Sequence, residues 1–197
     1  MRLFRKIREF KSKFSSIPEL DNTFDFPYSS NNLERQNQIW NNLQKGILLE
    51  DEKILIPWNT PFNQLDNYKE KRLDKGDRTE WYLGKHSILD GYKSSLGISM
   101  WIFLPWSNPF ERVTELLGFG IDGYEKSIKL KNHFKEVLGE PTLTDIEFEN
   151  ENFFEGNYNW ENRGVKIQIN GFDMHGSRYF LNIGLTKNKN EEFLNNS

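Results

Sequence analysis

Acidic residues spaced by two form the clearest chemical pattern in the chain. They are Asp145, Glu147, Glu149 and Glu151. On a β-strand this spacing places the four carboxylates on one face, with Ile146 and Phe148 on the other face. Like charges in a row repel one another, but they raise the association rate and the specificity for a cationic partner. A solvated sheet face, or an edge strand protected from aggregation, is the simpler alternative.

The residues around this run favour a binding surface. Glu155 and Glu161 add negative charge, and no Lys or Arg occurs from 142 to 162. Aromatic side chains lie between the acids, and aromatic anchors carry much of the binding energy of protein interfaces, although they would also suit a core. The sequence therefore predicts a surface for a cationic protein partner. Its predicted residues are Asp145, Glu147, Glu149, Glu151, Glu155 and Trp160.

Catalytic and metal-binding patterns are weak. The histidines His86, His133 and His175 have neither H-x3-H nor H-E-x-x-H spacing, so no metal site is predicted. Asp173 precedes His175 by two residues; such a loop can hold an acid–base pair, but a polar turn explains it more simply. The chain has no G-x-S-x-G motif and no Walker A loop. We therefore predict no catalytic residue and no cofactor.

Residues 118–123 match the glycine pattern G-x-G-x-x-G by letter. A dinucleotide-binding fingerprint requires a strand before these glycines and a βαβ unit around them. The sequence predicts a helix over 109–117 instead, followed by a longer helix at 123–138. We therefore interpret the glycines as a cap and a turn between two helices.

Composition limits the classes of protein to which the chain can belong. Aromatic residues make up 15% of the 197 residues, which favours a globular fold over disorder. The net charge of −3 argues against a generally basic nucleic-acid binder, so no nucleic-acid partner is expected. The absence of cysteine excludes disulfides and thiolate zinc sites. No apolar run approaches the roughly 20 residues of a membrane-spanning helix, and we expect a cytoplasmic protein.

A nine-residue segment occurs twice. Residues 54–62 and 102–110 share a Pro-Trp pair followed by a second proline and a phenylalanine, 48 positions apart. Self-similarity at this scale indicates a repeated supersecondary unit. The second proline follows Thr60 or Asn108, a suitable helix N-cap, so each copy is predicted to form a strand-to-helix corner. A second similarity relates the Asp-Gly-Tyr at 90–92 to the Asn-Gly-Phe at 170–172.

These patterns predict an α+β fold. We expect an antiparallel β-sheet built from two degenerate strand–helix–meander repeats, with N-terminal helices packed on it. One helix is predicted over 2–14, where a basic amphipathic pattern suits packing on the domain or binding to a membrane surface, and a second over Leu33–Lys45. The predicted parts are an N-terminal helical segment (1–46), the sheet domain (47–186, with halves at about 53–104 and 98–186) and a flexible tail (187–197).

The C-terminal third has a weak family resemblance. Val137-Leu138-Gly139-Glu140-Pro141, followed by Trp160 and two alternating strands, resembles small bacterial α+β proteins with a helix–Leu-Gly-x-Pro–meander unit. Several of those are immunity proteins of toxin systems or small inhibitor-like domains, so the resemblance implies protein binding. The expected function is non-catalytic protein binding. In its specific form, the chain is expected to be a bacterial immunity protein that neutralises a cationic toxin through the acidic surface. The alternatives are an enzyme with a site in a groove near Trp58, Trp106 or His175, and a membrane-peripheral protein using helix 2–14.

Overall fold

A computed structural model describes residues 23–101, 104–106, 108–173 and 176–186. The predicted helix 2–14 and the predicted tail lie outside these residues. The elements in chain order are α1 (Asn32–Lys45), β1 (Gly46–Leu49), β2 (Ile54–Pro57), a 3-10 helix (Phe62–Asn67), β3 (Lys71–Lys75), β4 (Arg78–Ile88), β5 (Tyr92–Trp101), β6 (Arg112–Phe119), α2 (Gly120–Leu138), β7 (Leu143–Asn150), β8 (Phe153–Asn162), β9 (Val165–Asp173) and β10 (Ser177–Leu185).

The strands confirm the predicted α+β class with an antiparallel sheet. Eight of them form one sheet in the order β3-β4-β5-β6-β10-β9-β8-β7, and β1 and β2 form a separate hairpin. The large sheet therefore consists of two four-stranded meanders, β3–β6 and β7–β10, whose last strands pair at its centre. Between β5 and β6 only Gly97 and Thr114 are in register, so the two strands diverge on either side of that pair.

One face of the sheet packs against α2. Alternate residues of β9 and β10 are buried, and α2 contacts β6, β8, β9 and β10. Phe134 of α2 meets Trp160 of β8 with ring centroids 5.4 Å apart, and Leu130 is fully buried beside them. We call the opposite face the outer face; it carries Arg178, Phe180 and the residues in register with them. Among the described residues, no helix is long and apolar enough to span a membrane.

Capping residues mark the start of α1 and the ends of both helices. The Asn31 side chain accepts a hydrogen bond from the Glu34 backbone N–H, and α1 stops at Gly46. Helix α2 stops at Leu138, before Gly139 in a left-handed conformation (φ 86°). The helices predicted over Leu33–Lys45 and 123–138 are confirmed, with α2 starting three residues earlier.

The helix predicted over 109–117 is wrong, because that region contains strand β6. The prediction rests on Asn108 and Pro109 as a helix start, and Val113, Leu116 and Leu117 also have the i, i+3, i+4 spacing of a helix. In the sheet Val113 and Leu117 point into the core, whereas Leu116 lies exposed on the outer face. Glu115 takes the inward position between them and accepts a hydrogen bond from the Ser94 hydroxyl (2.6 Å).

The two Pro-Trp corners contact each other. Phe62 N–H donates to Asn108 O (3.0 Å), and Phe110 N–H donates to Thr60 O (3.2 Å), a reciprocal pair that the 48-residue shift relates. Only the first corner leads into a helix, the 3-10 helix; the second leads into β6, so the predicted second strand-to-helix corner is wrong. The other similarity is not structurally equivalent: residues 90–91 form a hairpin turn, whereas residues 170–171 lie inside β9. The internal repeat stays a prediction.

Candidate functional site

Three residues of the acidic run, Asp145, Glu147 and Glu149, lie on β7, an edge strand of the described sheet that pairs with β8. A β-bulge between Ile146 and Phe148 interrupts the pairing at Glu147. Before the bulge Asp145 pairs with Asn157 on the outer face; after it, Phe148 takes an outer-face position. Glu149 pairs with Phe154 and therefore faces the helix side. The predicted single face of four carboxylates, with Phe148 pointing inward, is wrong because a bulge reverses the alternation.

Glu149 belongs to a cluster on the helix side. The Tyr158 hydroxyl donates to its Oε1 (3.0 Å), and the Lys131 ammonium lies 4.4 Å from the centre of the Tyr158 ring. Burial, and after it the nearby Glu149 carboxylate, raises the pKa of the Tyr158 hydroxyl above its ordinary range. Burial also lowers the pKa of Lys131. The cluster ties α2 to the edge of the sheet.

Trp160 lies in the core, not on the surface that we predicted for it. Its side chain is 1% exposed, and its indole Nε1–H donates to the Gly139 carbonyl oxygen (2.8 Å). Glu151 lies exposed in the turn between β7 and β8. Of the six predicted binding residues, the structure places Asp145 and Glu155 together on the outer face.

The outer face instead carries a cluster that sequence reasoning missed. We call it the outer-face cluster; it consists of Leu116, Phe119, Phe148, Phe172, Arg178 and Phe180. The rings of Phe172 and Phe180 are stacked with centroids 5.3 Å apart and planes 5° apart. The Arg178 guanidinium lies 5.6 Å from the centre of the Phe119 ring. Register links five of the six members across the strands: Phe180 is opposite Leu116, and Arg178 is opposite both Phe119 and Phe172. Phe148 lies further out on β7, opposite Glu155.

Exposure distinguishes this cluster from ordinary surface. Leu116 is 46% exposed, Phe119 57% and Phe148 51%. Isolated exposed apolar residues are normal, whereas large contiguous apolar patches are typical of interaction sites. Asp145 and Glu155 lie on the same face at the β7 side, so the apolar cluster has an acidic border. The signal in the sequence was the placement of Phe172 and Phe180 at positions that alternate with buried residues.

A ladder of polar side chains holds the middle of the outer face. The Thr114 hydroxyl donates to Asn182 Oδ1 (2.9 Å), Asn182 donates to Asn170 Oδ1 (2.7 Å), and Asn170 donates to Asn157 Oδ1. The ladder thus crosses four strands, from β6 to β8. Because hydrogen-bonded amides hold one another in fixed rotamers, the outer face is rigid beside the aromatic cluster.

The glycine-rich segment is a packing site. Strand β6 precedes it, so our premise that a helix comes first is wrong. The chain nevertheless lacks the parallel neighbouring strands of a βαβ unit, because every paired strand in the described sheet is antiparallel. A Cβ added at Gly123 would lie 2.5 Å from the carbonyl carbon of Gly118 and 2.7 Å from the Tyr179 ring. The glycines allow α2 to pack closely against β6 and β10.

The described histidines hold backbone carbonyls. His86 Nδ1 is 3.1 Å from Asp51 Oδ1, and its Nε2 is 2.6 Å from the Leu83 carbonyl oxygen, so both ring nitrogens lie against oxygen atoms of the fold. Partial desolvation raises the pKa of Asp51, but hydrogen bonds from Lys93, the Ser87 backbone and His86 outweigh it and lower this pKa to about 2. This cluster fixes the β1–β2 turn to the β4–β5 hairpin.

Two of the three residues around which an enzyme groove was predicted are described, and they lie in different surroundings. Trp58 is buried, and its Nε1–H donates to Leu43 O (2.6 Å). Trp106 is 40% exposed and packs against Arg72, while His175 lies outside the described residues. In the described part of the chain, no three His, Asp or Glu side chains lie close enough together to hold a metal ion.

Glu50 is a buried carboxylate with a structural role. Its two oxygens accept hydrogen bonds from the backbone N–H groups of Asp90 (2.7 Å) and Gly91 (2.8 Å). These residues and Leu89 form a turn in which all three φ angles are positive, and Arg35 holds Asp90 from the other side (3.0 Å). Glu50 therefore stabilises a strained hairpin turn. Burial raises the pKa of Glu50 above its ordinary value of about 4.5.

The raised pKa makes the contribution of Glu50 depend on pH. The folded state binds the proton more tightly than the unfolded state, so the stability contributed by Glu50 falls as pH rises above about 4.5. We expect Glu50→Gln to lower the free energy of unfolding by about 1–3 kcal/mol near pH 5, and by less near pH 7.5. Urea denaturation of both proteins across this range measures the difference. A difference that grows with pH would contradict the raised pKa.

No family model, no curated protein and no solved structure matches this chain.

Proposed function

We propose that the chain is a protein-binding domain that docks a cationic segment of a partner on its outer face. The observation that carries the proposal is the outer-face cluster, which exposes aromatic and aliphatic side chains beside a rigid amide ladder. Large apolar side chains that lose their contact with water on docking supply most of the affinity of such interfaces. The cluster is already formed in the free chain, so little side-chain order has to be gained on binding.

The acidic residues near the cluster favour a partner segment with positive charge. Asp145 and Glu155 lie on the outer face, with Glu147 in the bulge and Glu151 in the adjoining turn. No basic residue occurs in β7, β8 or the turn between them. A partner with lysine or arginine around an apolar centre would match this border, and long-range attraction would raise its association rate. The more specific form of the proposal is a bacterial immunity protein that neutralises a cationic toxin in the cytoplasm.

We also propose that the fold arose by an internal duplication. The reciprocal hydrogen bonds between residues 60–62 and 108–110 support two related corners that pack on each other. The wider repeat boundaries would require the two meanders to have arisen from one sequence. The cluster draws on both meanders: β7, β9 and β10 of the second carry four of its six residues, and β6 of the first carries Leu116 and Phe119.

A random 12-residue peptide library displayed on phage tests the docking face. We expect the chain to enrich peptides that contain Lys or Arg around apolar residues, and we expect Phe119→Ala to weaken the resynthesised peptides by about 2 kcal/mol, roughly 30-fold. Trp106→Ala is the matched control, because Trp106 is also an exposed aromatic residue but packs against Arg72 of β3 and Trp81 of β4, outside the cluster. Equal binding by wild type and Phe119→Ala would contradict the proposal.

The acidic border has its own test. Glu155→Lys should lower the association rate of a basic peptide roughly tenfold at low salt, and the difference should shrink at about 0.5 M salt because screening shortens the reach of charge. Glu125→Lys on α2 makes the same change of charge away from the outer face and should leave the rate almost unchanged. Stopped-flow fluorescence with a labelled peptide measures both. Equal effects of the two variants would mean that only net charge matters.

A further inference from the structure

One cation lies within the outer-face cluster without a carboxylate. Arg178 stacks on Phe119 and is in register with Phe119 and Phe172. Within the described residues it has neither an ion pair nor a side-chain hydrogen bond, whereas Arg35 and Arg78 each hold a carboxylate within 3.0 Å. Arg178 is only partly exposed, and its neighbours on this face are Phe side chains. Its guanidinium therefore lies against a ring, and none of its N–H donors is used by another side chain in the part of the chain that the structure describes.

Docking would change the energetics of this side chain. A partner that covers the outer-face cluster removes water from the guanidinium, and an arginine that loses water without gaining an acceptor costs several kcal/mol. The guanidinium offers donors in a planar fork that matches a carboxylate with two parallel hydrogen bonds. A partner that binds tightly must therefore supply an acceptor at this point.

Resting on the proposed function, we propose that Arg178 receives a carboxylate from the docked segment. The segment would carry one acidic group, which sits between the apolar residues that contact Phe119 and Phe172, with basic residues on the side that faces Asp145 and Glu155. The carboxylate can come from an Asp or Glu side chain or from a chain terminus. The acidic border and the net charge of −3 favour such a peptide over a nucleic acid, although aromatic residues on a sheet also stack on unpaired bases.

The peptides enriched by the wild-type chain, resynthesised and labelled, are the probe. Three variants are compared: Arg178→Gln, Arg178→Lys and the control Arg112→Gln, which changes an exposed arginine at the other end of β6. We expect Arg178→Gln to weaken binding by at least ~10-fold. Arg178→Lys should weaken it by less, because lysine keeps the charge but loses the forked geometry. Arg112→Gln should change it by less than ~2-fold.

A double-mutant cycle identifies the carboxylate. Changing the conserved acid of the selected peptides to its amide should weaken binding to the wild type by ~10-fold and have little further effect on Arg178→Gln. Peptides made with a free or an amidated C-terminus separate a side-chain carboxylate from a terminal one. Thermal unfolding of each variant should remain within a few degrees of the wild type, since Arg178 makes no described ion pair.

Three results would overturn this inference. In the first, the peptides depend on Phe119 but contain no acid, and they bind Arg178→Gln as well as wild type. This result would contradict the role of Arg178 and leave the proposed docking face intact. Peptides indifferent to both Phe119→Ala and Arg178→Gln would remove the docking face as well. Binding of a 20-nucleotide poly(U) or poly(dT) probe that weakens with Arg178→Gln would assign the arginine to a phosphate.

Discussion

Trp160→Ala is expected to lower the free energy of unfolding by about 3–5 kcal/mol. The side chain is 1% exposed, meets Phe134 edge to face and donates its indole N–H to the Gly139 carbonyl, so alanine would leave both a cavity and an unpaired carbonyl oxygen. A loss of this size is a large share of the roughly 5–15 kcal/mol that stabilises a typical domain. Chemical denaturation, followed by far-UV circular dichroism, measures it.

Trp106→Ala is the matched control for this prediction. Trp106 is 40% exposed and makes its contacts with Arg72 and the edge of Trp81, so we expect its loss to cost about 1 kcal/mol. If Trp160→Ala instead kept its stability and lost peptide binding, Trp160 would be a surface anchor, as the sequence suggested. The two variants thus compare the loss of a buried tryptophan with the loss of an exposed one.

Local signals allowed most of the helical structure to be predicted. Asn31, Gly46 and Gly139 act within one helical turn, where a side chain or a left-handed residue satisfies backbone groups at the helix end. The alternation in β9 and β10 was equally clear, because one face of each strand is buried along its length. Helices and strands were therefore predictable where residues close in the sequence determine them.

The candidate site was less predictable, because its geometry depends on pairing between distant residues. The bulge at Glu147 reverses the face of every later residue in β7, and nothing in the sequence of that strand alone specifies which partner residue is skipped. The assignment of Trp160 to the surface failed for a related reason: its neighbours on the helix side come from α2, about 26 residues earlier. Sequence alternation shows that two faces exist but not which one faces the core.

Register also decides which exposed aromatic residues form one surface. Phe119, Phe148, Phe172 and Phe180 come from four strands that are separated in the sequence by 8 to 29 residues. Phe119, Phe172 and Phe180 come together because β6 pairs with β10 across the centre of the sheet, a connection between the last strands of two meanders, while Phe148 lies on the same face at the β7 edge. The sequence contained each aromatic residue at an alternating position, but the central pairing that joins them is a property of the whole fold.

Gly123→Ala is expected to lower the free energy of unfolding by at least about 3 kcal/mol, although the change adds a single methyl group. The new Cβ would lie 2.5 Å from the Gly118 carbonyl carbon and 2.7 Å from the Tyr179 ring, so α2 has to move away from β6 and β10. Tyr179 is itself fully buried among Tyr124, Phe153 and Phe154, and the displacement therefore spreads into the core. Urea denaturation of the variant measures the loss.

Gly120→Ala, in the same glycine-rich segment, isolates the effect of close packing. Nothing lies within 4 Å of a Cβ at Gly120, and its φ of +52° costs an alanine only about 1 kcal/mol. Because both variants add the same methyl group, a much larger loss for Gly123→Ala must come from the contact between α2 and β6. Similar losses for the two variants would mean that backbone conformation, and not helix–strand packing, explains the glycines at 118–123.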